Sequence, residues 1–180
     1  MGFWTQHRRY AKAVSVAMLI ATAPFAMGAT DLESNLDGRI LACHNRERSS
    51  LNIPTLAWDP ALARDAEVWA RHLTDVGYLV HSPDEPANPD PEGENLWAGT
   101  RGYYGPEEMV GLWIAEKKDF VPGIFPHNSS TGDLEAIGHY TQVMWRSTKT
   151  VGCAVAHGRD DDFLVCRYSE GGNVMGEKPF

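Results

Sequence analysis

Apolar residues recur along this chain first at helical and then at strand-like intervals. From Leu32 onward, Leu32, Leu36, Ile40 and Cys43 are spaced by four, four and three, which predicts one stripe of a helix ending near Arg48, Ser49 and Ser50. Asn52-Ile53-Pro54 then reads as a turn. Asp59 stands just ahead of Pro60, the arrangement that caps and opens a second helix. Leu62, Ala66, Trp69, Ala70 and Leu73 form its buried face, and Gly77 stops it. Pro83, Pro86, Pro89 and Pro91, interspersed with acidic residues, mark a surface loop. A third helix runs from Pro106 to about Phe120, with Met109, Trp113 and Phe120 on one side, and the stretch from Val121 to Gly132 is loop again. A fourth opens near Gly138 and carries His139, Val143 and Arg146.

After Trp145 the period falls to two. Val151, Cys153 and Val155 alternate with small residues, Gly158-Arg159-Asp160-Asp161 turns, and Leu164, Cys166 and Tyr168 alternate in their turn. This is a β-hairpin. With the turn centred between Arg159 and Asp160, Cys153 and Cys166 oppose each other on one face, at a Cα separation of about 4.5–5.5 Å that a disulfide can bridge. Cys43 lies on a helix away from this pair and reads as a small buried core residue.

The first residues belong to a different class of segment. Arg8, Arg9 and Lys12 precede an apolar run from Ala13 to Ala26, and Ala26-Met27-Gly28-Ala29 closes it with small residues. Residues 1–28 therefore read as a secretory signal peptide, cleaved near Gly28 or Ala29. Thr22 and Pro24 interrupt the run, which is shorter than the roughly 20 residues a permanent membrane anchor needs. The expected location is extracellular or periplasmic. About 150 residues then remain, enough for one domain. Loss of the signal removes three basic residues and no acidic one, taking the formal net charge from −8 to −11. Such a balance argues against nucleic acid and anionic membrane as electrostatic partners. Three cysteines in an exported chain suggest one bridge and one leftover thiol. Asn128-Ser129-Ser130 fits the N-glycosylation pattern, which matters only in a eukaryotic source.

The sequence contains no Gly-x-Ser-x-Gly elbow, His-Glu-x-x-His helix, phosphate-binding glycine loop or Cys-x-x-Cys pair. That removes the commonest hydrolase and nucleotide-binding readings. What remains is a set of histidines and glutamates at segment edges: His81, Glu94, Glu116 and His139. Glu116 is three residues from Trp113 and four from Phe120, so it shares the apolar face of its helix, where a carboxylate must be paired or hydrogen-bonded. Each of these residues taken alone is more often structural than functional.

Gly138-His139-Tyr140-Thr141-Gln142-Val143-Met144-Trp145-Arg146-Ser147-Thr148 resembles the first signature of the CAP superfamily, which holds cysteine-rich secretory proteins, antigen 5 allergens and plant group 1 pathogenesis-related proteins. Phe163-Leu164-Val165-Cys166-Arg167-Tyr168 followed by Gly172-Asn173 resembles the second, and Gly93-Glu94-Asn95-Leu96 and Trp113-Ile114-Ala115-Glu116 are similar to two shorter family motifs. The match spans residues 36–180. It implies an α+β fold, a three-layer α-β-α sandwich with a central antiparallel sheet, and a cleft in which His81, Glu94, Glu116 and His139 converge. It also implies a zinc-like divalent ion on His81 and His139, and a family disulfide at Cys153 and Cys166. Two departures stand out: Glu170 occupies a position where the second signature usually has proline, and the other two bridges of the plant proteins are missing.

Two neutral imidazoles flanked by carboxylates can bind Zn²⁺, either with one glutamate as a third ligand or with both glutamates orienting the rings. The resemblance implies a binding module for a lipid, a sterol or an extracellular protein, acting in defence or host interaction. A zinc-dependent, protease-like hydrolase with Glu94 or Glu116 as general base is the alternative. A purely structural hydrogen-bond network is the third reading.

Overall fold

The computed structural model describes residues 35–83 and 92–180. The signal segment, Leu32 and most of the proline loop lie outside the described residues. Helix α1 spans Leu36–Ser50, strand β1 Ala57–Trp58, α2 Pro60–Val76, β2 Gly93–Thr100, α3 Pro106–Ala115, α4 Gly138–Met144, β3 Thr150–His157 and β4 Asp161–Ser169. A 3₁₀ turn, Glu116–Lys118, follows α3. No helix among the described residues is long and apolar enough to cross a membrane.

The α+β class holds, and the sheet order is β1-β3-β4-β2. Strands β2, β4 and β3 are antiparallel, as expected; the short β1 adds a parallel edge against β3, so the sheet is mixed. Alternation along the strands separates two cores. One face of β3 and β4, with Val151, Cys153, Leu164, Cys166 and Tyr168, packs under Ile40 and Cys43 of α1, Val110 and Trp113 of α3, and Val143 of α4. The other, with Ala156, Phe163 and Val165, packs on Ala66, Ala70 and Leu73 of α2. These are the three layers.

Local chemistry accounts for the element ends. The Asp59 carboxylate accepts the Ala61 amide at 2.7 Å, Pro60 begins α2, and Gly77 ends it in the left-handed region at φ 78°. Trp69 is only half-buried, because its indole reaches out to donate to the Val80 carbonyl at 2.9 Å. Gly152 is required by close packing: a Cβ there would press into the backbone of Asp59, Leu62 and Ala63, where α2 lies directly on the sheet. The α3 helix stops at Ala115, short of the expected Phe120. Likewise α4 ends at Met144, leaving Arg146 exposed beyond it.

The hairpin register pairs Cys153 with Cys166, and the two are bridged with a Cα separation of 4.1 Å. Cys43 is a free, buried thiol. Strand β2, by contrast, has no counterpart among the predicted elements. Asn128 is fully buried, so a glycan on its amide is incompatible with this packing. Glu170 follows β4 through a cis peptide, and its carboxylate pairs with Lys149 at 2.7 Å.

Candidate functional site

Glu94 is the second residue of β2, and its carboxylate side chain is only 8 % exposed. Its neighbour Gly93 is necessarily small, since a Cβ there would collide with the Gln142 amide, which is held by the Gly172 N–H at 2.8 Å. Glu94 Oε1 accepts from His81 Nδ1 at 2.6 Å and from the Ser82 amide at 3.0 Å. Burial tends to raise the Glu94 pKa, but the bonds from His81 and Ser82 and the charge of Arg167 together outweigh it, so the carboxyl lies below its ordinary value. His81 itself is largely exposed, at the end of the segment anchored by Trp69.

The second pair is built at the junction of α3 and α4. Glu116 stands where α3 passes into the 3₁₀ turn, still in right-handed helical conformation, and like Trp113 it faces His139 of α4. Its Oε1 accepts from His139 Nδ1 at 2.6 Å, and its Oε2 accepts the Tyr140 amide at 3.0 Å. That amide is one of the unpaired donors in the first turn of α4, which has no side-chain cap of its own, so Glu116 supplies the cap from another element. Trp113 stacks on the His139 ring, with centroids 5.9 Å apart and planes 11° from parallel. The burial requirement that marks Glu116 in the sequence is thus met by two hydrogen bonds.

Asn95 ties the pairs together. Its buried amide donates to the His139 carbonyl at 3.1 Å and to the Tyr168 hydroxyl at 3.3 Å. Below lies His44, wholly buried, whose Nδ1 faces the Ile40 carbonyl and whose Nε2 faces the Tyr168 hydroxyl, each at 2.9 Å. A carbonyl can only accept, so Nδ1 carries the proton and Nε2 accepts from Tyr168, which in turn accepts from Asn95. Burial pushes the His44 pKa down to about 4, keeping the ring neutral.

All four candidate residues are therefore engaged as two histidine–carboxylate pairs. Arg167, Asn95 and His44 are additional members that the sequence reading did not single out. For Arg167 the available signal was cross-strand: it lies opposite Glu94, visible only once β2 is recognised as a strand.

A carboxylate on Nδ1 favours the tautomer that leaves the lone pair on Nε2, and this donor chemistry would fit a cation held by two imidazoles. It does not provide a larger protein shell: among the described residues, no group of three His, Cys, Asp or Glu side chains is arranged to hold a metal. Glu94 and Glu116 are both oriented toward imidazole Nδ1 and backbone amides.

Comparison with known proteins places the chain. A family model described as "CAP: Cysteine-rich secretory protein family" matches residues 41–168. A pathogenesis-related protein of PR-1 type from Sambucus nigra is 30% identical over 175 residues, covering 97% of this chain and 99% of the relative. PR-1 from Medicago truncatula is 35% identical over 144 residues, covering 79% and 78%. Among solved structures, NaASP2, determined with Zn²⁺, superposes with a TM-score of 0.67 at 22% identity, over 81% of this chain and 84% of the other. The hookworm platelet inhibitor superposes at 0.61 with 18% identity, over 80% and 74%. At these identities the structural likeness is one of fold.

Proposed function

The chain belongs to the cysteine-rich secretory protein (CAP) family, and from that premise we propose that it is an exported binding module whose paired histidines hold a divalent cation. His81 and His139 are the ligands in this reading, each through Nε2, with Glu94 and Glu116 orienting the rings. The observation that carries it is the matched 2.6 Å contact of each Nδ1 with a carboxylate, the arrangement that aligns an imidazole for a metal. When bound, zinc would supply a Lewis-acidic centre to a ligand entering the site.

Binding is favoured over hydrolysis on the same geometry. Glu94 Oε1 carries two donors and Oε2 faces Arg167; Glu116 uses one oxygen for His139 and the other for Tyr140. A general base needs a carboxylate oxygen directed at the reacting water, and both glutamates are committed to orienting other groups. Two histidines are also fewer than the three protein ligands usual in catalytic zinc sites.

Titration calorimetry with ZnCl₂ tests the site. His81→Ala and His139→Ala each abolish binding, and Glu94→Gln weakens it roughly 10- to 100-fold by releasing His81. Affinity falls on acidification, since only the neutral ring is a ligand and protons compete with the metal for it. Equal affinity in the wild type and the His81/His139 double variant would refute the reading.

The ligand proposed for the module is a lipid, a sterol or an extracellular protein met in defence or host interaction. Its proposed route outward is the signal peptide of residues 1–28. Mass spectrometry of exported protein addresses both: the intact mass begins within a few residues of Ala29, and solvent extraction releases a co-purifying apolar molecule. A mass that includes residues 1–25 rejects the export reading. An extract without apolar ligand, followed by no saturable uptake from a lipid panel, removes the lipid and sterol readings.

A further inference from the structure

Each of the two histidine–carboxylate pairs presents Nδ1 to a glutamate at the same distance, yet their electrostatic surroundings differ. Arg167 of β4 lies directly across the ladder from Glu94 of β2, with its Nε 3.2 Å from Glu94 Oε2 and its Nη1 3.3 Å from Glu92 Oε2. The guanidinium is 16% exposed and the Glu94 carboxylate 8%, so the charges meet largely out of water. Both contacting atoms are buried and neither completes an aligned hydrogen bond, which makes this contact one of charge. Among the described residues Glu116 has no such companion. Its ion-pair partner among the described residues is His139, while the lysines that follow it pair elsewhere, Lys117 with Glu47 and Lys118 with Asp119.

Resting on the cation reading above, we propose that Arg167 limits the affinity of the site for divalent cations, by placing a fixed positive charge against Glu94 and so cancelling the negative charge behind His81. The His139–Glu116 half keeps its full carboxylate charge and is the stronger attractor for an entering cation. Arg167 reaches the site through Glu94 and need not contact the ion. A merely structural strut has the opposite consequence: removing it would loosen Glu94, release His81 and weaken binding. One unit of positive charge behind the site, acting on a divalent cation through a largely aqueous surround, would correspond to roughly a 3- to 10-fold change in affinity. The two roles therefore differ in sign, and a measurement separates them.

The test is calorimetric titration of the mature, disulfide-bonded protein with ZnCl₂ at neutral pH, in about 50 mM and about 500 mM NaCl. Arg167→Gln binds zinc roughly 3- to 10-fold more tightly at low salt, and high salt reduces the gain. Arg167→Lys, which keeps the charge and loses the fork, stays within about twofold of wild type. Glu92→Gln leaves Arg167 in place with less compensation and weakens binding roughly twofold or more; it carries the test if Arg167→Gln does not fold. Unchanged or weaker binding in Arg167→Gln overturns the proposal, as does an equal gain in Arg167→Lys or, where Arg167→Gln does not fold, unchanged affinity in Glu92→Gln. If wild type binds and Arg167→Gln gains nothing, only this inference fails. If wild type shows no binding while Arg167→Gln binds, the inference stands and the occupied wild-type site is what fails. Absence of binding in both removes both.

Discussion

His44 illustrates how one buried side chain constrains the region beneath the paired histidines. Its two nitrogens have fixed and opposite roles, donor to Ile40 and acceptor from Tyr168, so the ring fits only in its neutral form. In the unfolded chain the same ring titrates near 6.5, whereas burial lowers it to about 4 in the fold. Above pH 6.5 both states are neutral and the residue adds no pH dependence. As pH falls from 6.5 toward 4 the unfolded state takes up a proton that the folded state refuses, and stability declines by up to about 3 kcal/mol. Glu94, with a depressed pKa, contributes in a lower window: its stabilisation is present above the ordinary carboxyl range and is lost below it. Urea unfolding between pH 4 and 8 measures the first effect. His44→Gln flattens the slope between pH 4 and 6.5 even though its stability at pH 7 is lower. A slope unchanged by this substitution would show that another group is responsible.

At the level of elements, the short helix α4 is held at both ends by side chains from elsewhere. Glu116 accepts its N-terminal Tyr140 amide, and Arg48 of α1 gathers carbonyls at its C-terminus. The guanidinium donates to Val143 and Trp145 at 2.9 Å each, to Pro54 at 2.7 Å and to Thr148 at 3.1 Å. Burial lowers the Arg48 pKa to about 10, which still leaves it protonated at neutral pH. Among the described residues its charge is spread over carbonyl dipoles with no carboxylate partner. A seven-residue helix is too short to persist alone, and these attachments fix the element that carries His139. Arg48→Met strands those carbonyls without donors and is expected to destabilise the domain by roughly 3–5 kcal/mol, with Arg48→Lys recovering only part. Chemical denaturation gives the magnitude. A loss below about 1 kcal/mol would mean that water replaces the guanidinium readily.

Over the whole molecule, the sheet divides the core, and the only covalent crosslink among the described residues joins its two central strands. The bridge closes a loop with a sequence separation of 13, so the entropy it removes from the unfolded chain is modest, about 3 kcal/mol. Cys43 belongs to the same apolar cluster as the bridged pair, and burial raises its pKa, favouring an inert thiol. Non-reducing peptide mapping is expected to recover Cys153 linked to Cys166 and Cys43 unmodified, and the Cys153→Ser/Cys166→Ser protein to remain folded but less stable by that amount. A crosslink containing Cys43 contradicts this arrangement.

Features that depend on near neighbours are legible along the chain. The stripe Ile40 and Cys43, the Asp59–Pro60 start and Gly77 stop of α2, and the Cys153–Cys166 register all follow from periodicity and turn chemistry, and the CAP resemblance put forward His81, Glu94, Glu116 and His139 as candidates. The rest depends on contacts between elements far apart along the chain. Strand β2 escaped notice because Asn95, Leu96 and Trp97 are buried in succession, covered on both faces, so its sequence lacks the alternation of a half-exposed strand. With β2 unrecognised, the opposition of Arg167 to Glu94 could not be read, since cross-strand partners are set by sheet order rather than by distance along the chain. Helix α3 shows the same division: its apolar period extends toward Phe120, but Glu116 bonds to His139 and Tyr140, and the α-helix ends where that long-range pairing begins.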